Sequence, residues 1–183
     1  MKGNSVKERG AQLYATAETQ IDGLIELFST HDDATLTLPC PGREKLGDGT
    51  VAASARHAAD NYQRIADWLT DGDASLTSGH RQRGRAGHRI PAFARQHHAR
   101  ASHSERGGEY SANGIDRAGL LTTLSAARNT LSLIADLSDE QLTTVPPASD
   151  MKFCDGQRTL EQIIASLLNH QSHQIDAINA AVR

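Results

Sequence analysis

The sequence predicts an all-α protein, and three observations support this prediction. Four segments place apolar residues at spacings of three and four, the period of an amphipathic helix. Each of these segments also begins at a residue typical of helix starts. Apolar residues make up 38% of the 183-residue chain but aromatic residues only 4%, so alanine and leucine, both strong helix formers, must build the core.

The first predicted helix starts at Ser5 and Glu8, which have the spacing of a capping box, and ends near His31. Its apolar stripe is Leu13, Ala17, Ile21, Leu24 and Phe28. The stretch that follows, LTLPCPGREKLGDGT, contains two prolines and three glycines, so we expect a loop there.

The second predicted helix has Thr50 as its N-cap and ends before TDGD. His57 and Asn61 border its apolar stripe, on the side that also carries Trp68. The members of the stripe are Val51, Ala55, Ala58, Tyr62, Ile65 and Leu69.

The third predicted helix begins near Asp116, and the fourth opens with Thr159 and Gln162, another capping box. The third stripe is Leu120, Leu124, Ala127, Leu131 and Ile134. The fourth stripe is Leu160, Ile163, Leu167, His170, Gln174 and Ile178. Two polar residues, His170 and Gln174, therefore continue an otherwise apolar face.

Residues 70–115 separate the second and third helices and contain few apolar side chains. A structureless connection of this length is unusual within a compact domain. Helical bundles whose helices do not simply alternate in direction need such a crossover. We therefore predict a single domain over residues 1–183, a four-helix bundle with 70–115 as a crossover insertion. Residues 91–103 are compatible with a short helix, and the second connection, 138–158, is expected to pack across one end of the bundle.

A net charge of −3 hides a basic segment at residues 80–106, which holds seven arginines, five histidines and one acidic residue. This segment could gather metal, bind an anionic substrate through arginine or contact nucleic acid. Phe93 is its only aromatic residue, so base stacking is poorly served and we expect no nucleic-acid binding. The alternative interpretation is a solvated crossover without a site.

No run of about 18 apolar residues is present, and the N-terminus lacks the apolar core of a signal peptide. We therefore expect a soluble, cytoplasmic protein with no membrane partner. Cys40 and Cys154 are expected to be reduced and structural or incidental, with a disulfide between them as the alternative.

A candidate metal site follows from the positions of the histidines on the helices. His170 and Gln174 lie one turn apart on the core side of the fourth helix, and His173 lies on the neighbouring flank. His57 of the second helix supplies a second inward imidazole, and bundles build metal sites from facing helices. Asn61, one turn after His57, could orient a ligand. The alternative is that these are ordinary hydrogen-bonded helix side chains.

Three stretches, LTLPCPG, GTVAASARHAADNYQRIADWL and RTLEQIIASLLNHQSHQIDAI, resemble the DinB-like superfamily, in particular the mycothiol-dependent maleylpyruvate isomerase N-terminal domain group. The resemblance implies a four-helix bundle with an up-down-down-up course. It also implies a divalent metal, often zinc or nickel, held by three side chains. Two of these match His57 and His170, and the third falls on Gln174 instead of a histidine.

The glutamine leaves three outcomes open, because an amide oxygen is a poorer zinc ligand than imidazole. Gln174 could ligate weakly or hold a metal-bound water, His173 could replace it, or the site could have lost its metal. The resemblance implies a thiol S-transferase or isomerase in which the metal activates a low-molecular-weight thiol such as mycothiol towards an electrophilic substrate. The alternative is a non-catalytic bundle, as a monomer or a homodimer, that binds a small ligand at a degenerate metal site.

Overall fold

The computed structural model describes residues 8–70 and 116–183. The predicted basic segment at 80–106 and the short helix predicted at 91–103 lie outside the described residues. The same is true of Ser5, so the first capping box is described only at Glu8, where the first helix begins.

The described residues are mostly helical and contain no β-strand, which confirms the predicted all-α class. Their only extended pairing is an isolated bridge between Pro39 and Thr50. None of the described helices is both long enough and apolar enough to cross a lipid bilayer. The four long helices are α1 (Glu8–Thr30), α3 (Val51–Thr70), α4 (Arg117–Leu131) and α6 (Leu160–Ala181), and the short ones are α2 (Asp33–Leu36), a 3-10 helix (Ser132–Asp136) and α5 (Asp139–Thr143).

The starts of three long helices follow the predicted caps. Oγ1 of Thr50 accepts a hydrogen bond of 3.2 Å from the first turn of α3. The carboxylate of Asp116 accepts one of 2.8 Å from the first turn of α4. Thr159 and Gln162 form a reciprocal capping box at the start of α6. Each cap satisfies backbone N–H groups that have no partner within the helix.

The third predicted helix ends earlier than its apolar stripe indicates. The α-helix stops at Leu131, and the chain continues as the 3-10 helix, in which Ile134 is fully buried. A Cβ atom added to Gly10 of α1 would lie 2.5 Å from the carbonyl oxygen of Ile134. The backbones of the 3-10 helix and α1 therefore pack directly against each other, which requires a glycine at position 10.

The long helices surround one apolar core, with α1 and α3 each packing against both α4 and α6. Near the starts of α1 and α6, Arg9 donates to the carboxylate of Glu161 at 2.6 Å. Further along both helices, the amide of Gln20 donates to the hydroxyl of Ser172 at 2.7 Å. Gln20 in turn accepts a hydrogen bond of 2.7 Å from the buried Tyr62 of α3, so one side-chain network joins three helices.

Contacts between α1 and α4 join opposite ends. Arg117, in the first turn of α4, donates to the carbonyl oxygen of Phe28 near the end of α1. Arg128, in the last turn of α4, forms an ion pair of 2.8 Å with Glu18 near the middle of α1. These contacts fix the position of α4 along the length of α1.

Candidate functional site

A cavity of about 170 Å³ lies between α3, α6 and the second connection, residues 138–158. This volume is below the range of about 300–1,000 Å³ that is typical of sites for drug-sized ligands, so the cavity suits a small one. The polar residues that line it are His57, Asn61, Arg64, Lys152, His170 and Gln171.

His57 and His170 both lie in the wall of this cavity, and both are half-buried. Burial lowers the pKa of His57 below its usual value, and the nearby charges of Arg64, Arg43 and Lys152 lower it further. Burial is also the largest cause of the lowered pKa of His170, followed by the charge of Lys152. Both imidazoles are therefore neutral at neutral pH, which is the form that binds a metal ion.

Gln174 lies one helical turn after His170 and is buried, with 2% of its surface exposed. Its Nε2 lies 3.5 Å from Nε2 of His170. Its Oε1 is buried and has no hydrogen-bond partner among the described residues. Since an unpartnered buried polar group costs about 1–3 kcal/mol, this oxygen is a candidate to receive a ligand.

Gln171 is a site residue that sequence reasoning missed. It is 1% exposed, it lines the cavity, and its Nε2 donates to the carbonyl oxygen of Ala58 at 2.8 Å. Its Oε1 is also buried without a partner in the described part of the chain. The signal was present, because Gln171 stands seven residues after Ile164 and seven before Ile178, at the centre of the buried face. His170 lies at the edge of that face, which explains its partial exposure.

Lys152 is a second residue that the sequence did not indicate. Its Nζ lies 3.2 Å from Nε2 and 3.5 Å from Nδ1 of His170. The turn that carries it is closed by a hydrogen bond of 3.1 Å between the backbones of Ser149 and Cys154. Phe153 adopts φ of 70° there, a left-handed conformation that is strained for a bulky side chain. The turn therefore holds Lys152 against α6, halfway along the helix instead of at its end.

His173 does not enter the cavity. It is exposed, and its backbone carbonyl accepts a hydrogen bond of 2.8 Å from Arg43.

Asn61 does line the cavity, one turn after His57, and its side chain forms no hydrogen bond with a described residue. The structure thus brings His57, Asn61 and His170 together in the wall of the cavity. Gln174 contacts His170 but does not line the cavity, and His173 lies on the outer flank.

The cavity contains no carboxylate from the described residues. In the part of the chain that the structure describes, no cluster of three or more His, Cys, Asp or Glu side chains is arranged to hold a metal ion. A metal ion at His57 and His170 would therefore depend on an amide oxygen for its third protein ligand.

The two cysteines lie outside the cavity. Both are buried with free thiols, and Sγ of Cys154 donates to the carbonyl oxygen of Pro147 at 3.2 Å. The free thiols agree with the predicted reduced state and not with the alternative of a disulfide.

Comparison with known proteins leaves the cavity to be interpreted from its own residues. No family model, no curated protein and no solved structure matches the chain.

Proposed function

We propose that the chain is a DinB-like four-helix bundle with an up-down-down-up course. The contacts between α1 and α6 join start to start and middle to middle, which supports a parallel pair. Those between α1 and α4 join end to start, which supports an antiparallel pair. On α3, Ala58 meets Gln171, and the later Ile65 shares the cavity with the earlier Leu167, which supports α3 running against α6.

The cavity, we further propose, binds a divalent metal ion, zinc or nickel, through His57, His170 and Gln174, and uses it to activate a low-molecular-weight thiol. One observation carries this proposal. Two neutral imidazoles from facing helices wall one cavity, and the unpartnered Oε1 of Gln174 lies one turn from the second imidazole. Imidazole nitrogens suit zinc and nickel, and bundles hold such ions between facing helices.

The residues fit a metal ion, although not a tightly held one. An amide oxygen is a poorer ligand than imidazole for these ions. Nζ of Lys152 also contacts His170 and adds a positive charge beside the ligand nitrogens. Because Lys152 is an exposed, flexible side chain, it can move away from His170 when a metal enters.

A bound metal would stabilise the thiolate form of the thiol and make it nucleophilic at neutral pH. The protein's own residues have separate roles. His57 and His170 stay neutral and would supply ring nitrogens as ligands. Lys152 and Arg64 offset the negative charge of the thiolate or of an electrophilic substrate, and Asn61 orients the ligand by hydrogen bonding. The reaction class is S-transfer or thiol-assisted isomerisation.

The test incubates metal-free protein, with and without zinc or nickel, with mycothiol or another small thiol and a panel of electrophiles. Mass spectrometry then measures the thiol adducts. We expect adduct formation to require the metal and to be lost in His57→Ala and His170→Ala, while the exposed His173→Ala retains it. Circular dichroism of the three variants checks that they fold. Adduct rates equal to those without metal would reject the proposal.

A non-catalytic bundle that binds a small ligand is the second candidate function. Positive charges near the imidazoles favour it, because they oppose binding of a dication. Arg43 and Lys152 act on both rings, and Arg64 acts on His57. Ligand binding by metal-free protein, with no thiol adduct in the presence of metal, would support this candidate over the enzyme.

A further inference from the structure

Two cationic side chains in the wall of the cavity lack an acidic partner within the described part of the chain. Lys152 and Arg64 both line it. Neither forms an ion pair with a carboxylate among the described residues. Unpaired cations at the wall of a concave site attract anions, and guanidinium groups bind carboxylates through two parallel hydrogen bonds.

A second requirement comes from Gln171, a buried residue that lines the cavity. Its Nε2 is used by the carbonyl oxygen of Ala58, which fixes the orientation of the amide. Oε1 is left buried and unpartnered within the described chain. An amide oxygen can only accept a hydrogen bond, so a ligand that satisfies it must bring a donor.

From these two features we infer that the cavity binds a small organic anion that also carries a hydrogen-bond donor. A 2-hydroxycarboxylate is the simplest member of this class. Its carboxylate lies between Lys152 and Arg64, and its hydroxyl donates to Oε1 of Gln171. The cavity of about 170 Å³ has room for about six water molecules, which is enough for such an acid.

The inference deepens the proposed function. The role of the anion, as the electrophilic substrate or as its product, rests on that function. Binding itself needs no metal. It is therefore measured on metal-free protein, so that failure of anion binding and failure of metal-dependent thiol chemistry are separate results.

The experiment titrates metal-free, full-length protein with three probes of nearly equal size: 2-hydroxybutyrate, butyrate and 2-hydroxybutyramide. Chemical shifts of the histidine ring protons report binding at His57 and His170. We expect 2-hydroxybutyrate to bind at millimolar concentrations and butyrate to bind about tenfold more weakly, because butyrate leaves the buried acceptor unpartnered. The neutral amide is expected not to bind.

Variants assign the two ends of the ligand. Lys152→Gln and Arg64→Gln are each expected to weaken 2-hydroxybutyrate binding at least about fivefold, since each removes a charged hydrogen bond. Lys45→Gln and Arg56→Gln remove exposed cations elsewhere and should leave the affinity unchanged. Gln171→Met is expected to make the two acids bind equally.

Three results would overturn the inference: no binding of either acid by folded protein, equal binding of the amide, or equal weakening by the control variants. If Gln171→Met does not fold, the comparison of the two acids on the unmodified protein decides whether a donor is required.

Discussion

Nζ of Lys152 lies 3.2 Å from Nε2 of His170, the same ring nitrogen that Nε2 of Gln174 approaches at 3.5 Å. The positively charged ammonium group of Lys152 thus contacts a ring nitrogen that is a candidate metal ligand. Its effect on a divalent ion would be repulsive, whereas its effect on an anion would be attractive. This contact therefore determines which ligands the cavity favours.

Removal of the Lys152 charge should strengthen metal binding. For Lys152→Met we expect a zinc affinity about tenfold higher than that of the unmodified protein, because a nearby positive charge is lost and His170 is released. A competition titration against a chromogenic chelator measures the change. Lys45→Met is the matched control and should have no effect, since Lys45 does not line the cavity. An unchanged or lower affinity in Lys152→Met would contradict the placement of the metal at His170.

Replacement of Gln174 by histidine should complete a three-imidazole site. We expect Gln174→His to bind zinc at least about tenfold more tightly, because imidazole is the better ligand for this ion. Gln174→Leu, which removes the amide oxygen, should bind zinc more weakly than the unmodified protein. The same titration measures both variants. If the histidine variant folds and binds no better, position 174 does not face the metal.

Acid should destabilise the fold through the two half-buried histidines. Burial is the main cause that lowers the pKa of His57 and His170 in the folded protein. The charges of Arg43 and Lys152 lower both pKa values further, and that of Arg64 lowers the pKa of His57. In the unfolded chain the two imidazoles take up a proton near pH 6.5, whereas in the folded chain they do so only at a lower pH. The stabilisation is therefore complete above about pH 6.5 and is lost as the pH falls from there through the folded-state pKa values.

Denaturant unfolding of metal-free protein at about pH 7.5 and about pH 5.5, on either side of the unfolded-state value, measures this loss. The free energy of unfolding should fall at the lower pH, and the fall should be smaller in His57→Gln. An identical fall in the variant would show that His57 is not a source of the pH dependence.

Gly10 is required by the packing of α1 against the 3-10 helix. Gly10→Ala should reduce the free energy of unfolding by about 1–3 kcal/mol, since its Cβ would meet the carbonyl oxygen of Ile134. Gly23 lies on the same helix, where an added Cβ meets nothing within 4 Å. Gly23→Ala should therefore raise the stability by up to about 1 kcal/mol. Equal effects of the two substitutions in thermal or denaturant unfolding would contradict this packing.

The local parts of this structure were predictable from the sequence. Thr50, Asp116 and Thr159 begin helices because their side chains cap the first turn, an interaction within a few residues. The spacing of apolar residues identified the inward side of α6. It did not identify Gln171, because a polar residue at the centre of a buried face looks like an interruption of the stripe until its partner, the carbonyl of Ala58, is known.

The remaining features depend on contacts between distant segments. Lys152 reaches His170 from a turn 18 residues earlier, and no short-range pattern fixes the path of that turn. The end of α4 at Leu131 depends on the close approach of α1 at Gly10. Such features follow from packing, which periodicity in one segment does not contain.

The most direct test of the central proposal is the zinc stoichiometry and affinity of purified protein, compared with those of His57→Ala, His170→Ala and His173→Ala. We predict about one equivalent of zinc in the unmodified protein and in His173→Ala, with loss of binding in each of the other two variants. Absence of stoichiometric zinc in the unmodified protein, or zinc retained equally by all three variants, would contradict a metal site between α3 and α6.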